Sequence, residues 1–248
     1  MAVDKDKLAD MMGEKNLMRP AQQKYPMIRL HGNRGIFLRL DLGADGKYEK
    51  PKEIGQVVEG EIIAVRRQLG SYSKVVSHSS NEFDELTDEI VVWEQAKGVK
   101  AQKVFTGHYQ DARKQYPMLR SRYHLYTLID SELVKVIVKG SGLGNLFEYF
   151  HELKDDNLHI FEVKTRIEPS QEEGELGTYY ATAFTNAGRV SEEHLGEVAV
   201  KLQAFHENLK ALRAAYQKKA EDPAVDDLPV IELEDSQESE NEEEQIPF

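Results

Sequence analysis

The chain has 248 residues, 40% of them hydrophobic and 31% charged, enough apolar content to bury a core in one large domain or two small ones. It has no cysteine, which excludes disulfides, thiolate metal sites and cysteine nucleophiles, and no apolar run approaches the roughly 20 residues of a membrane-spanning helix. The formal net charge of -12 argues against a polyanionic partner only until its distribution is read: twelve of the 44 acidic residues lie in 221–248, which has no Lys or Arg, and the remaining 32 acids are matched by 32 Lys and Arg.

The opening stretch MAVDKDKLADMM has neither a basic flank with an apolar signal core nor the bias of a transit peptide, so a soluble, intracellular protein without a membrane partner is expected. Residues 1–24, polar with scattered Met11, Met12, Leu17 and Met18, read as an arm or a short helix. From Met27 the period becomes two, and Ile36, Leu38, Leu40 and Leu42 alternate with Phe37, Arg39 and Asp41, a half-buried strand between the turns HGNRG and GADGK. Further strands are expected over Val57–Arg66, Ile90–Gln95, Val104–Tyr109, Arg122–Ile129, Leu133–Lys139, His159–Ile167 and Tyr179–Thr185, with DSE as a short hairpin connection between the two that span 122–139. The intervening segments lack a helical period, which disfavours a parallel α/β sheet and favours an antiparallel barrel or sandwich. Asn145–Lys154 reads as a short inserted helix. A long helix starts after Ser191, an N-cap followed by Glu192 and Glu193, and its apolar seam, Leu195, Val198, Leu202, Phe205, Leu209, Leu212 and Tyr216, is expected to pack on the protein's own sheet or on a second copy.

The chemistry of an enzyme finds little support. The eight histidines show no metal-ligand spacing, and neither a nucleophile elbow nor a Walker loop occurs. The run GSGLG at Gly140–Gly144 lacks the remaining signature of either a dinucleotide or a P-loop fold and reads as a strand-to-helix turn, and Glu172 and Glu173 sit in a polar loop where solvation is their role. Trp93, flanked by Val and Glu, reads as core. No catalytic residue, metal or cofactor is expected.

Nucleic-acid binding has more behind it. Between Val99 and Lys139 eight Lys and Arg stand against three acids and are interleaved with Phe105, Tyr109, Tyr116, Tyr123 and Tyr126. A single strand needs that mixture, cations for phosphates and aromatic faces for unpaired bases. Strand alternation places Arg122, His124 and Tyr126 on one face and Tyr123, Leu125, Thr127 and Ile129 on the other, and one of these faces is expected to be wet and basic. A smaller cluster, Arg66, Arg67, Tyr72 and Lys74, lies near a loop between strands. The candidate strand-contacting residues are therefore Arg66, Arg67, Tyr72, Tyr109, Tyr116, Arg120, Arg122, His124 and Tyr126.

Residues 221–248 are expected to be disordered, because a block of like charge buries too little apolar area to offset the entropy of ordering. The run closes on Ile246, Pro247 and Phe248, an apolar anchor of few rotors with a carboxylate beside it, the design of a short recognition peptide. This ending resembles the tip of bacterial single-stranded DNA-binding proteins, in which acidic residues followed by Ile-Pro-Phe dock onto replication, recombination and repair enzymes, and phage single-stranded DNA-binding proteins end similarly. Glu242–Glu244 stand where that family usually has Asp, and Gln245 replaces the customary acid. The match is confined to these last residues. What the resemblance implies is an OB-like binder that coats single-stranded DNA in the cytoplasm of a bacterial or phage-infected cell, and recruits replication or recombination enzymes through Ile246, Pro247 and Phe248.

The resulting expectation is an arm or short helix at 1–24, an OB-like antiparallel barrel over 25–190, a C-terminal helix at 191–220 whose seam offers a self-association surface, and an acidic partner-binding tail at 221–248. The tail would compete with strand phosphates for the basic groove. The rival readings are an adaptor that uses the tip to engage or divert host enzymes, a strand-annealing protein, and, with least support, an enzyme acting on nucleic acid.

Overall fold

The computed structural model describes residues 25–221 apart from 45, 72, 74, 97, 100, 175 and 176, with the backbone alone at 209 and 211–221. The expected N-terminal arm and acidic tail lie outside these residues. The fold is mainly β with three helices among the described residues. In chain order the elements are β1 (Met27–His31), β2 (Ile36–Leu40), β3 (Lys52–Gly55), β4 (Val58–Ser71), β5 (Val76–Ser80), β6 (Ile90–Ala96), β7 (Gln102–Gly107), α1 (Tyr109–Gln115), β8 (Arg120–Ile129), β9 (Glu132–Lys139), α2 (Gly142–Asp155), a 3-10 turn (Ile160–Glu162), β10 (Val163–Gly174), β11 (Gly177–Arg189) and α3 (Glu192–Glu221). No described helix is long and apolar enough to cross a membrane.

The strands pair in the order β3-β2-β1-β9-β8-β4-β5-β6-β7, with β10 joined to β4 and β11 to β10. The expectation of purely antiparallel pairing needs one correction: β1 runs parallel to β9, with Ile28 opposite Val136. Parallel neighbours require a long connection, and here all of β2–β8 lies between the two, which is why no local pattern announced the pairing. The other end of β1 reaches β11, where Tyr180 N–H donates to the Gly32 carbonyl at 2.7 Å. Gly35 in this corner has φ of 60°, and a Cβ there would come within 2.8 Å of the Tyr180 ring, so the tight β1–β2 turn requires glycine on both counts.

Strand β4 is the hinge of the architecture. Its first residues pair with β10 (Gly60 opposite Thr165), while the rest pairs with β8 along its length, with a bulge between Ile62 and Ala64 that bends it. At Gly60 a Cβ would run into the Leu128 carbonyl and lie 2.8 Å from Thr127 Cγ2. Only glycine lets three strands meet there. The β8–β9 hairpin turns on Asp130 and Ser131, both at positive φ (49° and 65°), the mirror-image geometry that matches strand twist.

Three apolar clusters follow from this layout. The largest gathers Ile28, Phe37, Ile62, Leu125, Val134, Val136, Val138, Val163, Ile167 and Phe184 from the strands with Leu146, Tyr149 and Leu153 from α2. Tyr149, buried among them, meets its hydroxyl need at Thr165 Oγ1, 2.9 Å away. A second cluster, Leu69, Phe83, Ile90, Val92, Ala112 and Leu119, joins the end of β4 and β6 to α1. The third is where α3 docks: Val198 and Phe205 pack on Ile63, Tyr126 and Leu128. The seam thus packs on the protein's own sheet over its first half, and its remaining positions, Leu209, Leu212 and Tyr216, fall outside the described side chains. The cap at Ser191 is present, its Oγ accepting from His194 N–H at 3.3 Å.

Candidate nucleic-acid interface

Directly opposed residues of paired strands share a face, so the registers sort the side chains without ambiguity. Across β1, β9, β8 and β4 one row reads Arg29, Ile137, His124, Arg66. The next toward the start of β8 reads Lys139, Arg122, Gln68. Beyond it lie Arg120, Gly70, Ser79, Trp93 and Lys103, carrying the same face across β5 and β6 to β7. In the opposite direction come Lys135, Tyr126 and Ala64, at the border of the area that α3 covers. One face of the sheet therefore collects Arg29, Arg66, Arg120, Arg122, Lys135, Lys139 and Lys103. Gly70 is part of the construction, since the Arg122 guanidinium occupies the space where a Cβ would stand, 2.5 Å from its nearest nitrogen.

The centre of this face is held by a carboxylate from outside the strands. Glu82 accepts from Tyr126 Oη at 2.6 Å, its other oxygen lies 2.5 Å from His124 Nδ1, and Lys135 Nζ stands 4.0 Å away. Burial alone would raise its pKa, but His124, Lys135 and the Tyr126 hydroxyl together hold the carboxyl down at about 2, so it is ionised at every physiological pH. Burial is also the main influence on His124, pushing its imidazole below the usual range in concert with Lys135 and Arg122 and against Glu82. A neutral His124 donates Nδ1–H to Glu82 and presents Nε2 as a bare acceptor. Burial and the Glu82 charge likewise push the Tyr126 phenol up. Phe83 anchors the segment, buried and joined by backbone hydrogen bonds in both directions to Arg67. Next to it Asp84 accepts from Arg66 Nη1, while Arg66 Nη2 donates to the Glu82 carbonyl at 3.2 Å.

The polar atoms on this face are not fully served by the protein. Arg66 Nε, His124 Nε2, Ser79 Oγ and Gln95 Oε1 are buried with no hydrogen-bond partner among the described residues, and all four belong to residues on this side of the sheet, Gln95 standing opposite Ser77 in the β5–β6 ladder. Each such atom carries a desolvation cost that a polar ligand would offset.

The expected site residues are thereby divided. Arg66, Arg120, Arg122, His124 and Tyr126 come together on the one face. The expectation that this face is simply wet does not hold at its centre: His124 and Tyr126 are 2% and 5% exposed and face Glu82, and Arg66 is buried against Asp84. Exposure is confined to the margins, at Arg120, Lys139 and Lys103. Arg67 lies on the opposite face, its guanidinium 5.4 Å from the Tyr123 ring. Tyr109, expected to end a strand, instead opens α1, where it packs on Phe83 and its hydroxyl lies 3.3 Å from Ser121 Oγ. Tyr116 caps the same helix and donates to the Val104 carbonyl at 3.1 Å, against Phe105 and His78. Tyr72, Ile246, Pro247 and Phe248 lie outside the described residues. Trp93 is buried as expected, on the basic side of the sheet. Sequence reading missed Arg29, Lys135 and Lys139 as site members and Glu82 altogether; the signal for the first three was the alternation of their own strands, while nothing local pointed to Glu82.

Among the described residues no three histidine or carboxylate side chains are grouped to hold a metal ion. No protein-family model, curated protein or solved structure matches the chain.

Proposed function

We propose that the protein coats single-stranded DNA without strong sequence preference, and that Ile246, Pro247 and Phe248 recruit enzymes of replication, recombination or repair. The observation that carries the reading is the collection of Arg29, Arg66, Arg120, Arg122, Lys135 and Lys139 on one sheet face in consecutive cross-strand rows. Arginine and lysine in rows spaced by the strand repeat suit a phosphate backbone, whose contacts position a strand without reading its bases. Arg66 Nε, His124 Nε2, Ser79 Oγ and Gln95 Oε1 add unserved hydrogen-bonding capacity beside them.

An OB-like barrel is the finer architecture that this reading adopts. Its support is a circuit: β4 pairs with β8, β8 with β9, β9 with β1, β1 touches β11 through Gly32 and Tyr180, β11 pairs with β10, and β10 returns to β4. Helix α2, between β9 and β10, contributes to the core that this circuit surrounds. On such a barrel the basic rows are the outer wall, where oligonucleotides bind OB folds.

The test is fluorescence anisotropy of a labelled oligo(dT) against a matched duplex. Salt-sensitive preference for the single strand is expected; equal or absent binding at low salt overturns the coating function and leaves the adaptor reading, in which the tip acts on partner enzymes alone.

A further inference from the structure

The exposed large apolar side chains among the described residues are Ile54, Val57, Val75, Leu86, Val99, Met118, Phe147 and Val200, and only Phe147 among them is aromatic. It is 41% exposed on α2, whose other apolar positions are buried (Leu146, Tyr149 and Leu153) or half-buried (Leu143 and Phe150). Its ring stands perpendicular to that of Tyr123, with centroids 5.4 Å apart at 89°, and Tyr123 in turn carries the Arg67 guanidinium. An exposed ring whose orientation is fixed by a second ring and a cation is a prepared stacking surface.

Its place in the fold connects it to the basic rows. Tyr123 follows Arg122 on β8, and Arg122 stands opposite Lys139, the last residue of β9. Only Gly140 and Ser141, both exposed, separate Lys139 from the start of α2. A chain that follows the cations to Lys139 leaves the sheet at this turn and arrives at the helix that bears Phe147.

We propose that Phe147 is a base-stacking position for single-stranded nucleic acid, backed by Tyr123 and Arg67, at the point where a bound strand leaves the basic face past Lys139. This rests on the coating function and extends it to a second surface. A base suits the position because stacking needs one free ring face and nearby positive charge, whereas a protein partner needs a contiguous apolar patch, and the exposed apolar residues are scattered over separate elements.

The experiment compares the full-length protein with Phe147→Ala and Phe147→Tyr, using oligo(dT) of increasing length across a salt series. Phe147→Ala is expected to weaken binding roughly tenfold, with the slope of affinity against salt unchanged because stacking releases no counterions, while Phe147→Tyr retains wild-type affinity. Photocrosslinking to an oligonucleotide carrying 5-iododeoxyuridine is expected to label the peptide containing Phe147. Wild-type binding with Phe147→Ala indistinguishable from it and no adduct at this peptide overturns the proposal alone. A wild-type protein that binds no single strand at low salt overturns both this proposal and the function on which it rests.

Discussion

Replacing Glu82 with glutamine keeps the shape of the side chain and removes the charge that organises the basic face. Despite its burial, Glu82 is held below its ordinary 4.5 by His124, Lys135 and the Tyr126 hydroxyl, and removing one charged member of such a buried, hydrogen-bonded group costs on the order of 3 kcal/mol. The amide can still accept one hydrogen bond, so a loss of roughly 2–3 kcal/mol is expected. For a domain of this size that lowers the melting temperature by about 5–10 °C. The sign of the pH dependence follows from the direction of the shift. Because the folded carboxyl is more acidic than the unfolded one, its contribution is complete above about 4.5 and disappears as pH falls from there to about 2. His124, whose imidazole is also held below its ordinary value, contributes stability that is present above 6.5 and lost as pH falls below it. Urea melts of the wild type and Glu82→Gln at pH 7.5, 5.0, 4.0 and 3.0 should therefore show the full gap above about 4.5 and a narrowing gap below it. Equal stabilities at pH 7.5 would refute the reasoning, since the carboxylate would then be gaining nothing from His124, Tyr126 and Lys135.

Two further perturbations test the scaffold. Gly60→Ala drives a methyl group into the Leu128 carbonyl where β4 passes between β10 and β8, and a loss on the order of 3 kcal/mol in urea denaturation is expected; an unperturbed midpoint would mean that the strands give way freely. Phe205→Ala removes a buried ring centred 4.4 Å from that of Tyr126, and should cost roughly 3–5 kcal/mol and increase hydrogen exchange along α3 before the sheet; uniform protection across both would show that the helix does not dock through this residue.

The parts of the fold that sequence reading captured are those governed by local rules. Ser191 and the carboxylates after it set the start of α3, and Asp130 and Ser131 supply the turn between β8 and β9. What was missed is nonlocal or polar. The sequence predicts strand β4 only to Arg66 because Arg66, Arg67 and Gln68 interrupt the apolar pattern, yet the strand continues to Ser71 on its pairing with β8. Strand β5, with His78, Ser79 and Ser80 buried, has little β propensity of its own and is held by its neighbours, as where Ser80 Oγ accepts from Leu69 N–H. Helix α1 has seven residues and one buried side chain, Ala112, too little for a helical period to show. At the site, alternation grouped Arg122, His124 and Tyr126 on one face, and it could not reveal that Glu82, 42 residues before His124, would fill the centre of that face with a carboxylate.

The central claim is that the rows on the outer face of β1, β9, β8 and β4 hold the phosphates. Its most direct test is the slope of log affinity for oligo(dT) against log salt, measured for the wild type, for Arg122→Ala with Lys139→Ala, and for a control pair on other surfaces, Lys114→Ala with Lys154→Ala. With a single-strand slope of about −0.7 per phosphate contact, the face pair should flatten the slope by about 1.4 and weaken binding at low salt, while the control pair leaves both unchanged. A face pair whose slope matches the wild type, or a control pair that flattens it equally, would contradict the assignment of this face.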